Sequence, residues 1–263
     1  MTKRKIYLSI LHAFLNLRRL ILEGCTSLSK VHPSIGALNK VVFLKLAGCK
    51  NLKSFLRSIC MESLEILTLS RCSKLKKFPE VQGCMKHLSE LSLEGTGIKG
   101  LPLSIEYLTR LVLLNLRNRQ NLESLSSCIY KLRSLEILIL SYCLKLKELP
   151  EVLENMWSLL ELFLDGTAIK ELPSSIQHLS GLVLLNLREC KSLAILPQHL
   201  YIEIPSNSYS IWFLKTRQFA RGFGEPTRFR EAQSSRNCYK RAATLYFSFG
   251  KTLKYYHLRD VKD

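Results

Sequence analysis

The chain is poor in acidic residues and in several motifs that mark a chemical activity. Its 263 residues contain 21 Asp and Glu against 39 Lys and Arg, and the formal net charge is +18. No apolar run approaches the ~20 residues that a membrane-spanning helix needs, so we predict no membrane span. No Gly-x-x-x-x-Gly-Lys-Ser/Thr phosphate loop is present, so nothing predicts nucleotide binding of that kind.

Further absences argue against a metal centre and against catalysis. The nine cysteines include no Cys-x-x-Cys pair, and none of the six histidines stands at zinc-ligand spacing or near a nucleophile motif. Carboxylate pairs such as Glu90 with Glu94, or Glu161 with Asp165, are predicted to be solvated repeat charges rather than acid/base groups. We therefore expect no enzyme, no bound metal and no cofactor.

The abundant feature is leucine at a fixed period. Residues 111–117, Leu-Val-Leu-Leu-Asn-Leu-Arg, recur unchanged as residues 182–188. A shorter pattern, Leu-x-x-Leu-x-Leu-x-x-Cys/Thr, returns every 23 or 24 residues, and its second leucine stands at Leu20, Leu44, Leu67, Leu91, Leu114, Leu138, Leu162 and Leu185. A fixed period in this range predicts a solenoid, in which stacked units bury one continuous core.

Each unit is predicted to be a strand, a turn and a return arm. Both leucines of Leu-x-Leu point to one face because side chains alternate along a strand. We therefore expect an α/β leucine-rich-repeat solenoid, with a curved parallel β-sheet on its concave face and irregular or short helical return arms. Residues 16–200 hold about eight such units, and 1–15 form a ragged partial first repeat. Residues 201–263 form a poorly defined basic tail without repeats.

The basic tail is predicted to be partly disordered. Its composition favours weak or no order from about Arg217 to Arg241, whereas residues 244–249 are typical of a strand. The apolar residues 211–214 are expected to cap the last repeat.

Five of the cysteines occupy one column of the repeat, three residues after its last strand leucine. They are Cys25, Cys49, Cys72, Cys143 and Cys190, and Thr96 and Thr167 stand at the same place in other units. Side chains in such a column point the same way, which does not suit a disulfide. We expect small buried residues whose S–H or O–H meets a turn carbonyl. Free thiols and the absence of an Asn-x-Ser/Thr sequon favour a reducing compartment, the cytoplasm or nucleus.

The strand positions between the leucines are predicted to face the concavity and to bind a protein partner. Phe163, with Ile139 and Tyr142, forms a small apolar patch of the kind that marks partner sites, unless a neighbouring domain or the tail covers it. Lateral ion pairs are expected between Glu94 and Arg117 and between Asp165 and Arg188, where simple solvation is the alternative role. The candidate residues are Lys45, Asn115, Arg117, Ile139, Tyr142, Phe163, Asp165, Asn186 and Arg188.

A basic stripe is expected along the flank that follows the cysteine column. It consists of Lys50, Lys53, Lys74, Lys76, Lys77, Lys145 and Lys147. Because the stripe lacks interleaved aromatic residues and any nucleic-acid motif, an acidic protein surface is favoured over nucleic acid or an anionic membrane as its partner. Solubility alone remains an alternative role.

Several motifs resemble the leucine-rich repeats of plant TIR-type nucleotide-binding disease-resistance receptors. The resemblance covers about residues 14–200 and rests on Cys-Lys-x-Leu at 49–52 and 190–193, Phe-Pro-Glu-Val at 78–81, Leu-Pro-Glu-Val at 149–152, and Asp-Gly-Thr-Ala-Ile-Lys-Glu-Leu-Pro-Ser-Ser-Ile at 165–176. It implies recognition of a pathogen effector or of a guarded host protein, and contact with the nucleotide-binding domain of a receptor.

The chain departs from that family in lacking the phosphate loop, and it is too short to hold nucleotide-binding and TIR domains as well. We therefore expect the sensing portion of a receptor, either a truncated gene product or a partial gene model. The alternative is a regulatory or decoy repeat protein that assembles with a full-length receptor through its N-terminal edge and basic stripe. The sequence does not identify the ligand or the oligomeric state.

Overall fold

The computed structural model describes Phe14, residues 16–194 and the backbone of residues 200–203 and 213–216, all within the unit Met1–Arg217. The predicted ragged repeat therefore lies, apart from Phe14, outside the described residues. The predicted disorder at 217–241 and the strand at 244–249 lie outside them as well. In the part of the chain that is described, no helix has both the length and the apolar character to cross a membrane.

The described residues form a solenoid of eight coils, numbered here 1 to 8 by their central leucines from Leu20 to Leu185. The strands are β1 (Arg19–Ile21), β2 (Phe43–Lys45), β3 (Ser58–Ile59), β4 (Ile66–Thr68), β5 (Glu80–Val81), β6 (Glu90–Ser92), β7 (Leu113–Asn115), β8 (Ile137–Ile139), β9 (Glu161–Phe163), β10 (Leu184–Asn186), β11 (Leu200–Glu203) and β12 (Phe213–Thr216). Ten of them make one sheet in the order β1-β2-β4-β6-β7-β8-β9-β10-β12-β11.

The eight strands that belong to the coils are parallel and in register. Each central leucine lies opposite the central leucine of the next coil, from Leu20 beside Leu44 to Leu162 beside Leu185. The one-residue difference between repeats of 23 and 24 residues is therefore accommodated in the return arms, and the strand pairing does not change. The predicted leucine-rich-repeat fold, with its parallel sheet, is confirmed.

The return arms differ from coil to coil, and that of coil 6 holds neither a 3-10 helix nor a strand. Among the described residues, four arms contain a short 3-10 helix, in agreement with the prediction of irregular or short helical arms: η1 (Pro33–Ala37), η2 (Leu103–Tyr107), η3 (Ser127–Lys131) and η4 (Ser174–His178). Pro102 and Pro173 are the N-cap residues of η2 and η4, where their extended backbone starts the helix. The arms of coils 2 and 3 instead hold β3 and β5, which pair in parallel as a second, two-stranded sheet.

The core is a stack of leucines sealed by the cysteine column. Leu44, Leu67 and Leu114 are completely buried, as are their counterparts in most coils. The cysteine thiols donate to the carbonyl just after the strand of the preceding coil: Cys49 to Leu22, Cys72 to Leu46, Cys143 to Leu116 and Cys190 to Leu164, at 2.9–3.2 Å. Thr96 and Thr167 donate to a carbonyl of their own coil instead. The predicted role is confirmed for Cys49, Cys72 and Cys143, which are buried, whereas Cys25 and Cys190 are only half-buried.

One pair of cysteines contradicts the expectation of free thiols. Cys60 and Cys84, which lie outside the column, are joined in a disulfide between coils 2 and 3, with their Cα atoms 5.5 Å apart. Side chains of neighbouring coils point the same way in the cysteine column, and Cys60 and Cys84 are not part of that column. In the return arms, where β3 and β5 pair, two side chains one coil apart can point toward each other.

The column also contains an arginine that the cysteine/threonine pattern concealed. Arg119 occupies the column position of coil 5 and is completely buried. Its Nη2 donates to the carbonyl of Ile98, whereas its Nε and Nη1 have no hydrogen-bond partner among the described residues. Burial lowers the pKa of this guanidinium to about 10, so it remains charged at neutral pH.

The residue before each column position adopts a left-handed backbone. All eight have φ between 54° and 75°: Gly24, Gly48, Arg71, Gly95, Asn118, Tyr142, Gly166 and Glu189. This conformation is easy for glycine and strained for most other residues. The turn after each strand is therefore a regular element of the coil. In four of the eight coils a residue other than glycine adopts this left-handed conformation.

The sheet ends in an antiparallel hairpin. β12 pairs antiparallel with β10, with Leu184 opposite Phe213, and β11 pairs antiparallel with β12. The residues predicted to cap the last coil, 211–214, fall partly in β12, which pairs directly with β10 of that coil and with β11 on its other side.

Candidate functional site

The concave face carries most of the candidate residues in coils 5 to 8. Along one column of the sheet, Asn115, Ile139, Phe163 and Asn186 are successive register partners. Lys45 belongs to the same column but lies in coil 2, opposite Ile21 and Thr68, and is therefore separated from the others. The assignment of all of these residues to partner binding stays a prediction.

An apolar patch, here called the concave patch, consists of Ile137, Ile139, Phe163 and Leu184. Phe163 is half-buried, and so are Ile137 and Leu184 in the neighbouring column. Ile139 is only 8% exposed, against the expectation that it faces solvent. Strands lie about 4.8 Å apart, so side chains on adjacent strands cover one another. Phe163 therefore offers more of this surface to a partner than Ile139 does.

A carboxylate interrupts the concave patch. Glu161 lies opposite Ile137 on one side and Leu184 on the other, and its Oε2 is buried without a hydrogen-bond partner among the described residues. Burial, and secondarily the carboxylate of Glu136, raises the pKa of Glu161. The expectation that Glu161 is a solvated charge is wrong, because the neighbouring strands remove much of its water.

Asp165 is the centre of a polar cluster at the end of β9. It is 7% exposed, and its Oδ1 accepts hydrogen bonds from Ser141 Oγ at 2.5 Å and from Asn186 Nδ2 at 3.2 Å. Burial raises the pKa of Asp165, although Ser141 and Arg117 oppose that shift. The expectation of a solvated carboxylate is wrong here too. The predicted lateral ion pair with Arg188 stays a prediction.

Arg117, Tyr142 and Gly166 form a stack on three successive coils. The Arg117 guanidinium carbon lies 5.1 Å from the centre of the Tyr142 ring, within the range of a cation–π contact. On the other side the ring covers Gly166, where an added Cβ would lie 2.6 Å from a ring carbon. The ring is thus held between a cation and a glycine backbone, and this arrangement positions Arg117. Its predicted pairing with Glu94 stays a prediction.

Asn115 and Asn186 hold the turns that carry the two arginines. The Oδ1 of Asn115 accepts the backbone N–H of Arg117 at 2.9 Å, and Asn186 does the same for Arg188 at 3.1 Å. Asn115 is buried as well. These asparagines therefore act mainly on their own backbone, as Asx turns do, and only secondarily as contact surface.

The basic stripe is exposed at all seven of its lysines. Lys74 donates to Asn51 Oδ1 at 2.7 Å, and Lys145 lies 3.8 Å from Glu123, so part of the stripe is engaged with neighbouring coils. Exposed ion pairs of this kind contribute little to stability.

A groove that was not predicted from the sequence runs along the edge where the strands begin. It has a volume of about 750 Å³ and is lined by residues of coils 3 to 7, among them Arg110, Glu136 and Trp157. Trp157 is 67% exposed. The sequence does contain a pattern that could have indicated this groove: Arg110, Arg133 and Trp157 each stand four or five residues before a central leucine. Among the described residues, no group of three or more His, Cys, Asp or Glu side chains could hold a metal ion.

Comparisons with known proteins agree on the nature of the repeats. Residues 131–255 match the family described as disease resistance protein RPS4B-like, leucine-rich repeats. The chain is 41% identical over 177 residues to the TMV resistance protein N of Nicotiana glutinosa, covering 67% of this chain and 15% of that protein. It is 39% identical over 175 residues to the disease resistance protein RPS4B of Arabidopsis thaliana, covering 59% and 14%.

A solved structure supports the fold. The leucine-rich repeat domain of the type III effector XopL matches with a TM-score of 0.55 and 25% identity, over 74% of this chain and 76% of that one. The chain spans about 15% of the length of the curated relatives named above.

Proposed function

The chain is a set of leucine-rich repeats of the plant disease-resistance type, and on that premise we propose that it is the protein-recognition module of an intracellular immune receptor. Its ligand in this proposal is a pathogen effector or a guarded host protein, and binding contributes to defence signalling. These 263 residues contain no phosphate loop, and the proposal for them concerns recognition alone. Nucleotide-binding and TIR domains are outside the proposed module.

The observation that carries this proposal is the concave patch beside the arginine stack. Phe163, Ile137 and Leu184 are only half-buried on adjacent strands, and the Tyr142 ring positions Arg117 on the neighbouring coil. Aromatic and arginine side chains contribute most often to the few residues that dominate a protein–protein interface.

The proposed compartment is the cytoplasm or the nucleus. Cys49, Cys72 and Cys143 are buried free thiols in the column, and such thiols persist in a reducing environment. The partners proposed for the module are proteins, and the basic stripe would take an acidic protein surface such as that of a receptor's nucleotide-binding domain.

The test is an affinity capture with the purified full chain and extract from pathogen-challenged plant tissue. Three forms are compared: the unchanged chain, Phe163→Ala, and Leu153→Ala as a control on a side chain that is 78% exposed. We expect at least one protein that the first and third forms retain and that Phe163→Ala retains about tenfold less, as for a hot-spot residue. Equal retention of every captured protein by all three forms would contradict the proposal.

The second candidate function is a regulatory or decoy protein that assembles with a full-length receptor. Phe14, which precedes strand β1, and Ile21, which ends it, are about half exposed and offer an apolar surface for such assembly. Replacing Lys74, Lys76 and Lys77 with glutamate should then abolish co-purification with a co-expressed full-length receptor, whereas Phe163→Ala should not.

A further inference from the structure

Two neighbouring return arms are joined to each other by a disulfide. Cys60 and Cys84 follow β3 and β5, and they are joined across coils 2 and 3. Both side chains are half-buried, so small reagents in water can reach this region. Neither arm contains a 3-10 helix.

Backbone contacts on both sides of the pair bring the two cysteines close together. Ile59 lies opposite Val81 in the small sheet, and the N–H of Gln82 donates to the Ile59 carbonyl at 3.0 Å. On the other side of the pair, the N–H of Met61 donates to Met85 Sδ at 3.1 Å. A Cα separation of 5.5 Å then falls within the range in which a disulfide can form. The pairing is thus built by the arms themselves.

The column cysteines provide an internal contrast. Cys49 and Cys72 are also one coil apart, yet each thiol donates to a carbonyl just after the strand of the preceding coil, and each side chain is completely buried. Burial raises the pKa of Cys72 to about 12 and that of Cys143 to about 11. Because the thiolate is the reactive species, these cysteines should be inert to exchange.

We propose that Cys60 and Cys84 are a site of reversible thiol–disulfide modification by low-molecular-weight thiols such as glutathione. In the reductive direction, the thiolate of one glutathione attacks one sulfur of the bond, forming a mixed disulfide and releasing the other cysteine as a thiolate that takes up a proton. A second glutathione thiolate attacks the glutathione sulfur of that mixed disulfide. The products are the second cysteine thiol and glutathione disulfide. The protein disulfide is thus reduced by two electrons, and two glutathione thiols are oxidised to one disulfide.

The modification would act as a clamp between two coils. In the reducing compartment of the proposed function, disulfides are characteristically transient and redox-sensing, so the thiol form would be the resting state there. Oxidation would tie β3 to β5 and suppress local opening of these arms. The concave patch lies in other coils, so the clamp stiffens the solenoid without entering the proposed binding face.

The experiment is differential alkylation of the folded full chain in glutathione buffers from fully reduced to fully oxidised. Free thiols are blocked with N-ethylmaleimide, and peptides are then mapped by mass spectrometry. We expect Cys60 and Cys84 to lose alkylation together, and to regain it when reduced glutathione is restored. Cys60→Ser should leave Cys84 alkylated or glutathionylated in oxidising buffer, whereas the control Cys128→Ser should change nothing at the pair.

A second measurement needs no variant and therefore does not depend on whether a serine form folds. Amide hydrogen exchange of residues 58–61 and 80–85 should slow by roughly tenfold or more in the oxidised chain, because a cross-link suppresses local opening. The proposal is overturned if the two cysteines remain as reactive as Cys128 throughout the titration, if they bond elsewhere, or if exchange in these residues is unchanged. Failure of the affinity capture described above would leave this result untouched.

Discussion

Two copies of one heptapeptide occupy coils 5 and 8, and their surroundings make them different. Residues 111–117 and 182–188 have the same sequence and the same Asx turn. In coil 5, Leu113 is 3% exposed and Asn115 is 5% exposed, whereas their counterparts in coil 8, Leu184 and Asn186, are half-buried. β7 lies between two parallel neighbours, whereas β10 has one parallel neighbour and the antiparallel β12. Identical local sequence therefore gives identical backbone, and the neighbouring coils decide what remains exposed.

The largest expected difference between the two copies is the loss of unfolding free energy when the central leucine is replaced by alanine, which leaves a cavity. Leu114 and Leu185 are both completely buried, and Leu114 is stacked between Leu91 and Leu138. Leu114→Ala should destabilise the chain by about 3 kcal/mol, and Leu185→Ala by less, since coil 8 has a parallel coil on one side only. Denaturant unfolding of both variants provides the measurement. A larger loss at Leu185 would show that β12 packs as tightly as another coil.

The next effect concerns the column residue that follows each copy, which is Arg119 in coil 5 and Cys190 in coil 8. Arg119→Thr should stabilise the chain by about 1–3 kcal/mol, because it removes a buried charge that has two unpaired nitrogens. Thr96 shows that threonine fits the column. The same denaturant experiment decides it, with Arg110→Thr on the exposed groove wall as the control. A clear loss of stability would mean that Arg119 has a partner in the folded chain.

A smaller effect should follow from disturbing the stack that Arg117 of coil 5 forms with Tyr142 and Gly166 of the next two coils. Gly166→Ala introduces a Cβ against the Tyr142 ring at a residue whose φ is +67°. Gly24→Ala is the matched control, since its φ is +68° and nothing lies within 4 Å. We expect a loss of about 1 kcal/mol for the control from backbone strain and a further loss of about 1 kcal/mol at Gly166 from overpacking.

The thermal midpoints of the two glycine variants, together with the double variant Gly166→Ala/Tyr142→Ala, separate these contributions. The double variant should recover the part that is due to the ring. If Gly24→Ala and Gly166→Ala lower the midpoint equally, the ring is not held against Gly166 as described.

The smallest effect is a pH dependence at Asp165, which lies between the two copies. Burial raises its pKa above the ordinary value of 3.8, so the folded chain binds a proton there more tightly than the unfolded chain does. Its contribution to stability therefore falls as pH rises from about that ordinary value through the raised one. Asp165→Asn should remove this decline, which is measured as a flatter stability profile from pH 4 to 7. A steeper profile in the variant would reverse the assigned sign.

The repeat architecture was predictable because leucine spacing determines strand register directly. The column of cysteine and threonine hydroxyl or thiol donors was predictable for the same reason, since each member stands at a fixed distance from a strand leucine. These features depend on local spacing and on one-dimensional stacking.

Features that depend on contacts between neighbouring coils could not be predicted in the same way. Arg119 was missed because the column was identified by residue type, and an arginine does not fit that description. The Cys60–Cys84 bond lies in return arms whose mutual position no leucine period specifies. The burial of Ile139, Glu161 and Asp165 depends on which side chains adjacent strands supply, and repeat position alone does not give this.

The measurement that tests recognition by the concave patch most directly is the dissociation constant of a purified captured partner. It would be measured by calorimetry with the unchanged chain, Phe163→Ala and Leu153→Ala, after thermal unfolding has shown that all three are folded. We expect binding about tenfold or more weaker for Phe163→Ala and unchanged for Leu153→Ala. Equal affinities for all three would contradict recognition through the concave patch.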